Sequence, residues 1–189
     1  MDTKASDDNP SPQAPPTETI LEIDPAKVQA FQQQLKDEQN LLRGTVAGAI
    51  AASIGTTIWA IITVLTDYQV GLMALGVGFL VGYAARFFGK GVDKIHGVIA
   101  AGLALLGCLA GNLLTGAILI SQQEQVSLGD VLLILALSPA AVVEIMTAMF
   151  SPIDLLFYSL AAYEGYRFSF RRITQAEKEG LYRVRPRLE

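Results

Sequence analysis

The stretch LALSPAAVVEIMTAMFSPIDLLF, Leu135 to Phe157, decides how this chain is threaded. It is apolar enough for a bilayer, yet it carries Pro139, Pro152, Glu144 and Asp154. Proline removes a backbone donor and clashes with the preceding turn, so a helix ends or kinks there. Ser138-Pro139 therefore splits 128–150 into halves of about eleven residues, each too short for the roughly 20 that a spanning helix needs. Residues 152–170, PIDLLFYSLAAYEGYRFSF, begin on a proline suited to a first helical turn. They end in an aromatic and arginine belt of the kind found at membrane interfaces.

The flanking sequence sets the class. Hydrophobic residues make up 51% of the chain and charged ones 17%, with a mean hydropathy of +0.40, which is high for a soluble domain. No Lys or Arg occurs between Lys94 and Arg167, where a solvated fold would need cations on its faces. Three segments read as membrane spans: 44–66, 70–90 and 96–120. The net charge of −4 lies mostly in the N-terminal tail, and no basic patch points to nucleic acid.

Cations alternate along the connections. Lys36 and Arg43 precede the first span, and TDYQ (66–69) after it has none. Arg86, Lys90 and Lys94 surround the next turn, SQQEQVS (121–127) has none, and Arg167, Arg171 and Arg172 close the last apolar run. Positively charged loops stay in the cytoplasm, so this order requires an even number of crossings with both termini cytoplasmic. Only one of 128–150 and 152–170 can then cross, and the broken segment is the one that fails. The expected fold is an all-α, polytopic membrane helix bundle with four transmembrane helices (44–66, 70–90, 96–120, 152–170). Residues 128–150 form a broken re-entrant or interfacial hairpin, or a full span if the cation rule fails.

Outside the membrane domain (44–170), residues 1–23 are acidic and proline-rich and read as a disordered cytoplasmic tail. Asp24-Pro25 starts an amphipathic helix over 24–43, with Val28, Phe31, Leu35 and Leu42 in one narrow stripe. That stripe lies on the membrane or pairs with a second copy. Residues 171–189 read as a basic cytoplasmic tail.

Fourteen of the 17 glycines lie between Gly44 and Gly116. Gly44/Gly48, Gly78/Gly82 and Gly107/Gly111 are GxxxG pairs, which place both glycines on one helix face and let two backbones approach closely. They predict tight packing within the chain, or a homo-oligomer or protein partner docked on the same faces. The polar candidates at membrane depth are Cys108 and Asn112, one turn apart on a single face, and the carboxylates Asp130, Glu144 and Asp154 in or beside the hairpin. The hairpin and the start of the fourth span are expected to enclose an outer-facing polar cavity edged by these carboxylates. Glu164 and Arg167 read as a local ion pair. Arg86, Lys90 and Lys94 suit lipid headgroups.

Enzyme templates find little. The one histidine, His96, is twelve residues from the one cysteine, Cys108, or about 18 Å along a helix, too far for a nucleophile–base pair. No metal-ligand spacing or phosphate-binding loop occurs, so no catalytic residue, metal or cofactor is expected. The block GVGFLVGYAARFFGKGVDKIHGVIAAGLALLGCLAGNLLT (76–115) resembles the central part of a group of uncharacterised bacterial inner-membrane proteins with about four spans. The resemblance covers about 44–170 and implies a plasma-membrane location but no activity. The expected role is a non-catalytic integral membrane protein, a scaffold or accessory subunit of a membrane complex. The alternative is a small transporter or channel-like protein using the outer cavity.

Overall fold

The computed structural model describes residues 19–66 and 71–186. In chain order the elements are β1 (Thr19–Ile23), α1 (Pro25–Glu38), α2 (Leu41–Thr66), α3 (Leu72–Gly89), α4 (Lys94–Gln123), α5 (Leu128–Leu137), α6 (Pro139–Met149), α7 (Asp154–Phe168), α8 (Gln175–Glu179) and β2 (Tyr182–Pro186). They divide into two compact units, one over residues 34–172 and one built from the two chain ends.

The larger unit is an all-helical membrane bundle. Helices α2, α3 and α4 are each long and apolar enough to cross a membrane, and α5 with α6 forms a pair bent by 113°. Helix α7 is the fourth member of the bundle. Its 15 residues rise only about 22 Å, so the fourth span expected over 152–170 is shorter than an ordinary hydrocarbon core is thick.

Helix directions follow from which residues meet. The start of α2 lies against the end of α3 at Gly44 and Gly89, and Gly55 meets Val77, so these two run antiparallel. Thr56 Oγ1 donates to the Gly107 carbonyl and Trp59 packs on Gly111, so α2 and α4 run parallel. Gly78 faces Ala161 and Gly82 faces Gly165, so α7 runs with α3 and against α4. The chain thus enters and leaves the bundle at one end. Arg43, Arg86, Lys90, Lys94, Arg167, Arg171 and Arg172 all cluster toward that end.

At the opposite end, α5 and α6 leave α4 and hand the chain back to α7 on the side where α4 stopped. Ser138 makes the break. Extended backbone at Ser138 ends α5, its hydroxyl accepts from the Ala141 N–H at 3.3 Å, and Pro139 occupies the first turn of α6, where its missing N–H is harmless. The pair docks on the second half of α4 through Ala117, Val131, Leu135 and Ile145. The break expected at Ser138-Pro139 is thus present, as a helix pair bent by 113°.

Three expectations about the chain ends need correction. The helix expected over 24–43 is interrupted at Gln39-Asn40: α1 stops at Glu38, and Asn40 starts α2 by accepting from the Arg43 N–H at 2.9 Å. The stripe follows this break, with Val28 and Phe31 half-buried, Leu35 7% exposed and Leu42 73% exposed. Second, Thr19–Ile23 is not tail but a strand, paired antiparallel with β2 from Thr19↔Pro186 to Ile23↔Tyr182. Third, the C-terminal tail holds α8 as well as β2. A capping box starts α8, with the Thr174 hydroxyl and the Glu177 carboxylate each bonded to the other residue's backbone N–H. The remainder of the two tails, residues 1–18 and 187–189, and the connection 67–70 lie outside the described residues.

Glu38 ties the cation-rich end together. Its carboxylate accepts from Arg171 at 2.6 Å and from Gln34 at 2.9 Å, with Lys90 at 3.6 Å. The Gln34 and Arg171 hydrogen bonds hold the Glu38 carboxyl below its ordinary value of 4.5. A depressed folded-state pKa contributes stability that is present above 4.5 and is lost as pH falls through the lower folded value. Glu38→Gln should therefore lower stability at neutral pH and leave the acid end almost unchanged, which flattens the acid limb of a stability–pH curve in detergent.

The glycine faces are used inside the chain, but the three GxxxG pairs are not used alike. Gly78 and Gly82 both meet the backbone of α7. In the first pair only Gly44 meets backbone, where a β-carbon would lie 3.0 Å from the Gly89 Cα. The expectation that Gly48 also brings two backbones together is corrected. Gly48 is buried, yet a β-carbon there would meet the end of the Leu103 side chain at 3.0 Å, then the Val81 and Ala85 side chains. Leu103 of α4 reaches into the space beside Gly48, so side chains fill what a second backbone would have occupied. Gly107 and Gly111 likewise face side chains first, Val77 at 2.9 Å and the Trp59 ring at 3.1 Å.

This difference has consequences for substitution. A β-carbon at Gly78 would lie 2.5 Å from the Ala161 carbonyl oxygen, whereas at Gly102 nothing lies within 4 Å. Gly78→Ala should cost about 1–3 kcal/mol of stability in detergent, because backbone cannot swing aside as a side chain can. Gly102→Ala should be neutral or stabilising by up to about 1 kcal/mol. Equal melting temperatures for the two variants would argue against close backbone packing at Gly78.

Candidate functional site

Polar side chains meet in the bundle core on three helices. Cys108, Asn112 and Thr115 lie on one face of α4 and are fully buried. The Asn112 amide donates to the Tyr158 hydroxyl of α7 at 2.6 Å, which joins two antiparallel helices through a buried polar bond. Asp154, one turn before Tyr158, is 3% exposed and accepts from the Ser151 N–H at 2.9 Å, closing the first turn of α7. Thr115 turns its hydroxyl back to the Gly111 carbonyl at 2.8 Å.

Helix α2 adds Thr56, Trp59 and Thr63, three and four residues apart and all buried. Thr56 bonds across to α4. The Trp59 indole N–H and the Thr63 hydroxyl are buried with no hydrogen-bond partner among the described residues. Sequence reasoning found Cys108, Asn112 and Asp154 but missed Tyr158, although its spacing of four from Asp154 places both on one face of α7. It also missed α2, whose hydroxyls look like ordinary span residues until a partner helix is known.

A cavity does lie beside the α5–α6 pair, with a lining that differs from the expected one. A cavity of 500 Å³ lies between the end of α4 and the α5–α6 pair, with Glu124, Val131, Leu135, Glu144 and Ile145 among its lining. Glu144 is the one expected carboxylate at its edge, and Glu124 was not anticipated. Asp130 is exposed on the first turn of α5, where it complements the helix dipole. Asp154 packs into the bundle instead, because α7 begins against α4. The start of α7 does not line this cavity.

Two further expectations change. Arg167 donates to Tyr163 at 3.0 Å, one turn back on its own helix, and does not pair with Glu164. One Glu164 oxygen is buried without a hydrogen bond among the described residues. His96 is 5% exposed beneath Gly91, and both its ring nitrogens lack partners among the described residues. Of the headgroup cations, Arg86 lies 5.8 Å from the Tyr83 ring centre and Lys90 is drawn to Glu38. No group of three or more His, Cys, Asp or Glu side chains among the described residues is placed to hold a metal ion.

The chemistry available to this core is hydrogen bonding between helices. Comparison with protein families, with curated proteins and with solved structures gives no match.

A polar bond inside a membrane bundle contributes roughly 0.6 kcal/mol on average and up to about 1.7. A double-mutant cycle on Asn112→Leu and Tyr158→Phe should return a coupling of about 1 kcal/mol, read from unfolding in mixed micelles. A coupling near zero would mean that α4 and α7 are held by packing alone.

Proposed function

We propose that this protein is an integral plasma-membrane protein acting as a scaffold or accessory subunit of a membrane complex, with both chain ends in the cytoplasm. The observation that carries the reading is the Asn112–Tyr158 bond together with the hydroxyls bonded to backbone around it. Two buried polar bonds, Asn112–Tyr158 and Thr56–Gly107, join α4 to α7 and to α2, as a rigid anchor requires. What the anchor would present is the second unit, assembled from both chain ends, with its β1–β2 ribbon and capped α8. A two-stranded ribbon can be extended at an edge, which suits strand addition by a partner. The clustering of cations at the end where the chain enters and leaves supports a cytoplasmic assignment for that end. The resemblance of residues 76–115 to bacterial inner-membrane proteins supports the plasma membrane of a bacterium.

A second reading has its own observation. Glu124 and Glu144 at the 500 Å³ cavity, with the unbonded Trp59 N–H and Thr63 hydroxyl in the core, fit a small transporter or channel-like protein.

One set of variants separates the readings. Arg183→Pro interrupts the β1–β2 ladder by removing the donor that faces Glu22, and Glu144→Gln neutralises the cavity. Crosslinking in native membranes followed by mass spectrometry should show a partner lost in the first variant and kept in the second. Ser6→Cys and Leu188→Cys should resist an impermeant thiol reagent added from outside. Ion or solute flux in proteoliposomes that disappears in Glu144→Gln would replace the scaffold with the transporter.

A further inference from the structure

Between α2 and α3 a groove of 620 Å³ opens on the outside of the bundle. Small side chains make its floor: Ala51 is 5% exposed, and Ala47 and Ala84 are half-buried. Larger residues rise on either side, Val46, Ile50 and Ile54 from α2 and Leu80 and Phe88 from α3. Every lining residue except Arg43 is apolar. The groove follows α2 from Arg43 to Ile54, a rise of about 16 Å at 1.5 Å per residue. The hydrocarbon core of a bilayer is about 30 Å thick, so the groove is about as long as one leaflet is deep.

Arg43 stands at the end of this groove that lies toward the cation-rich end of the bundle. It is exposed, whereas Lys90 and Arg171 at the same end of the bundle share Glu38. A slot one leaflet long, closed by a single cation at headgroup level, has the dimensions and charge of a phospholipid with a negative headgroup. We propose that the groove holds one acyl chain of an acidic phospholipid and that Arg43 pairs with its phosphate.

A partner helix fits less well. With side chains it is about 10–12 Å across, so it would rest on the branched and aromatic walls and leave the alanine floor empty. A single methylene chain reaches that floor and gains contact on three sides. The proposal rests on α2 and α3 lying in a membrane, and is independent of which face is cytoplasmic and of the scaffold reading.

Native mass spectrometry of the full chain in detergent, titrated separately with phosphatidylglycerol and phosphatidylcholine, tests it. The wild type should bind one phosphatidylglycerol about fivefold more tightly than phosphatidylcholine, which is what one cation near a membrane surface contributes. Arg43→Gln should abolish that preference while leaving phosphatidylcholine binding as it was. Phe88→Ala, which removes an exposed wall residue and carries little risk to folding, should weaken both lipids equally. Ala84→Leu, which fills the floor, should do the same if its melting temperature is preserved. An unchanged preference in Arg43→Gln would overturn the pairing. Unchanged affinity in Phe88→Ala would overturn the groove as the site, as would several lipids bound without selectivity.

Discussion

Close approach of backbones at glycine is the constraint on which the bundle depends. Lipid tails are as apolar as leucine, so no hydrophobic force drives these helices together, and contact distance sets how much dispersion energy they gain. Gly78 and Gly82 on α3 let α7 lie directly against them, with the Ala161 and Gly165 carbonyls where side chains would otherwise stand. That contact makes a 15-residue helix the fourth member of the bundle. It also points α7 back toward the cation-rich end, so that the start of α2 and the end of α7 lie at the same end of the bundle.

The hairpin is the consequence. With α7 running against α4, the chain between them must begin and end at the same end of the bundle, and no straight span can do that. Ser138 and Pro139 supply the turn, and the α5–α6 pair then needs a surface that satisfies it at membrane depth. Gly116 on α4 provides part of that surface, since a β-carbon there would collide with Ile145 at 2.5 Å. The same use of glycine that admits α7 thus admits the hairpin.

The three long spans were legible because they need only length and apolarity, both of which are local. The hairpin was legible because Pro139 marks the break and the missing cations excluded the other threading. The β1–β2 ribbon was not, since TILEI and YRVRP are five-residue strands more than 150 residues apart in the chain and gain their meaning only from each other. The break at Asn40 was hidden for a related reason: the apolar stripe runs through Leu42, and only the bond from the Asn40 N–H to the Gly89 carbonyl at 2.8 Å shows where α2 starts. GxxxG spacing identified packing faces but not their partners. It could not tell Gly44, which meets the backbone of Gly89, from Gly48, which meets the side chain of Leu103. Gly71, outside any GxxxG pair, sits against the Phe157 ring.

Polar residues inside the bundle follow the same logic of mutual definition. Asn112 alone signals an interhelical bond, because an amide in hydrocarbon has no water to turn to. It does not say which helix answers. Tyr158 answers because Gly78 and Gly82 have already set the height of α7 against α3, and Gly165 its distance from α4, where a β-carbon would lie 2.9 Å from the Ala100 carbonyl. The Asn112–Tyr158 bond therefore reports register as much as it contributes stability: a slip of one turn would move the hydroxyl about 5.4 Å along the axis and leave two buried polar groups apart. Packing at glycine holds the helices close, and the polar bond selects one alignment among the close ones.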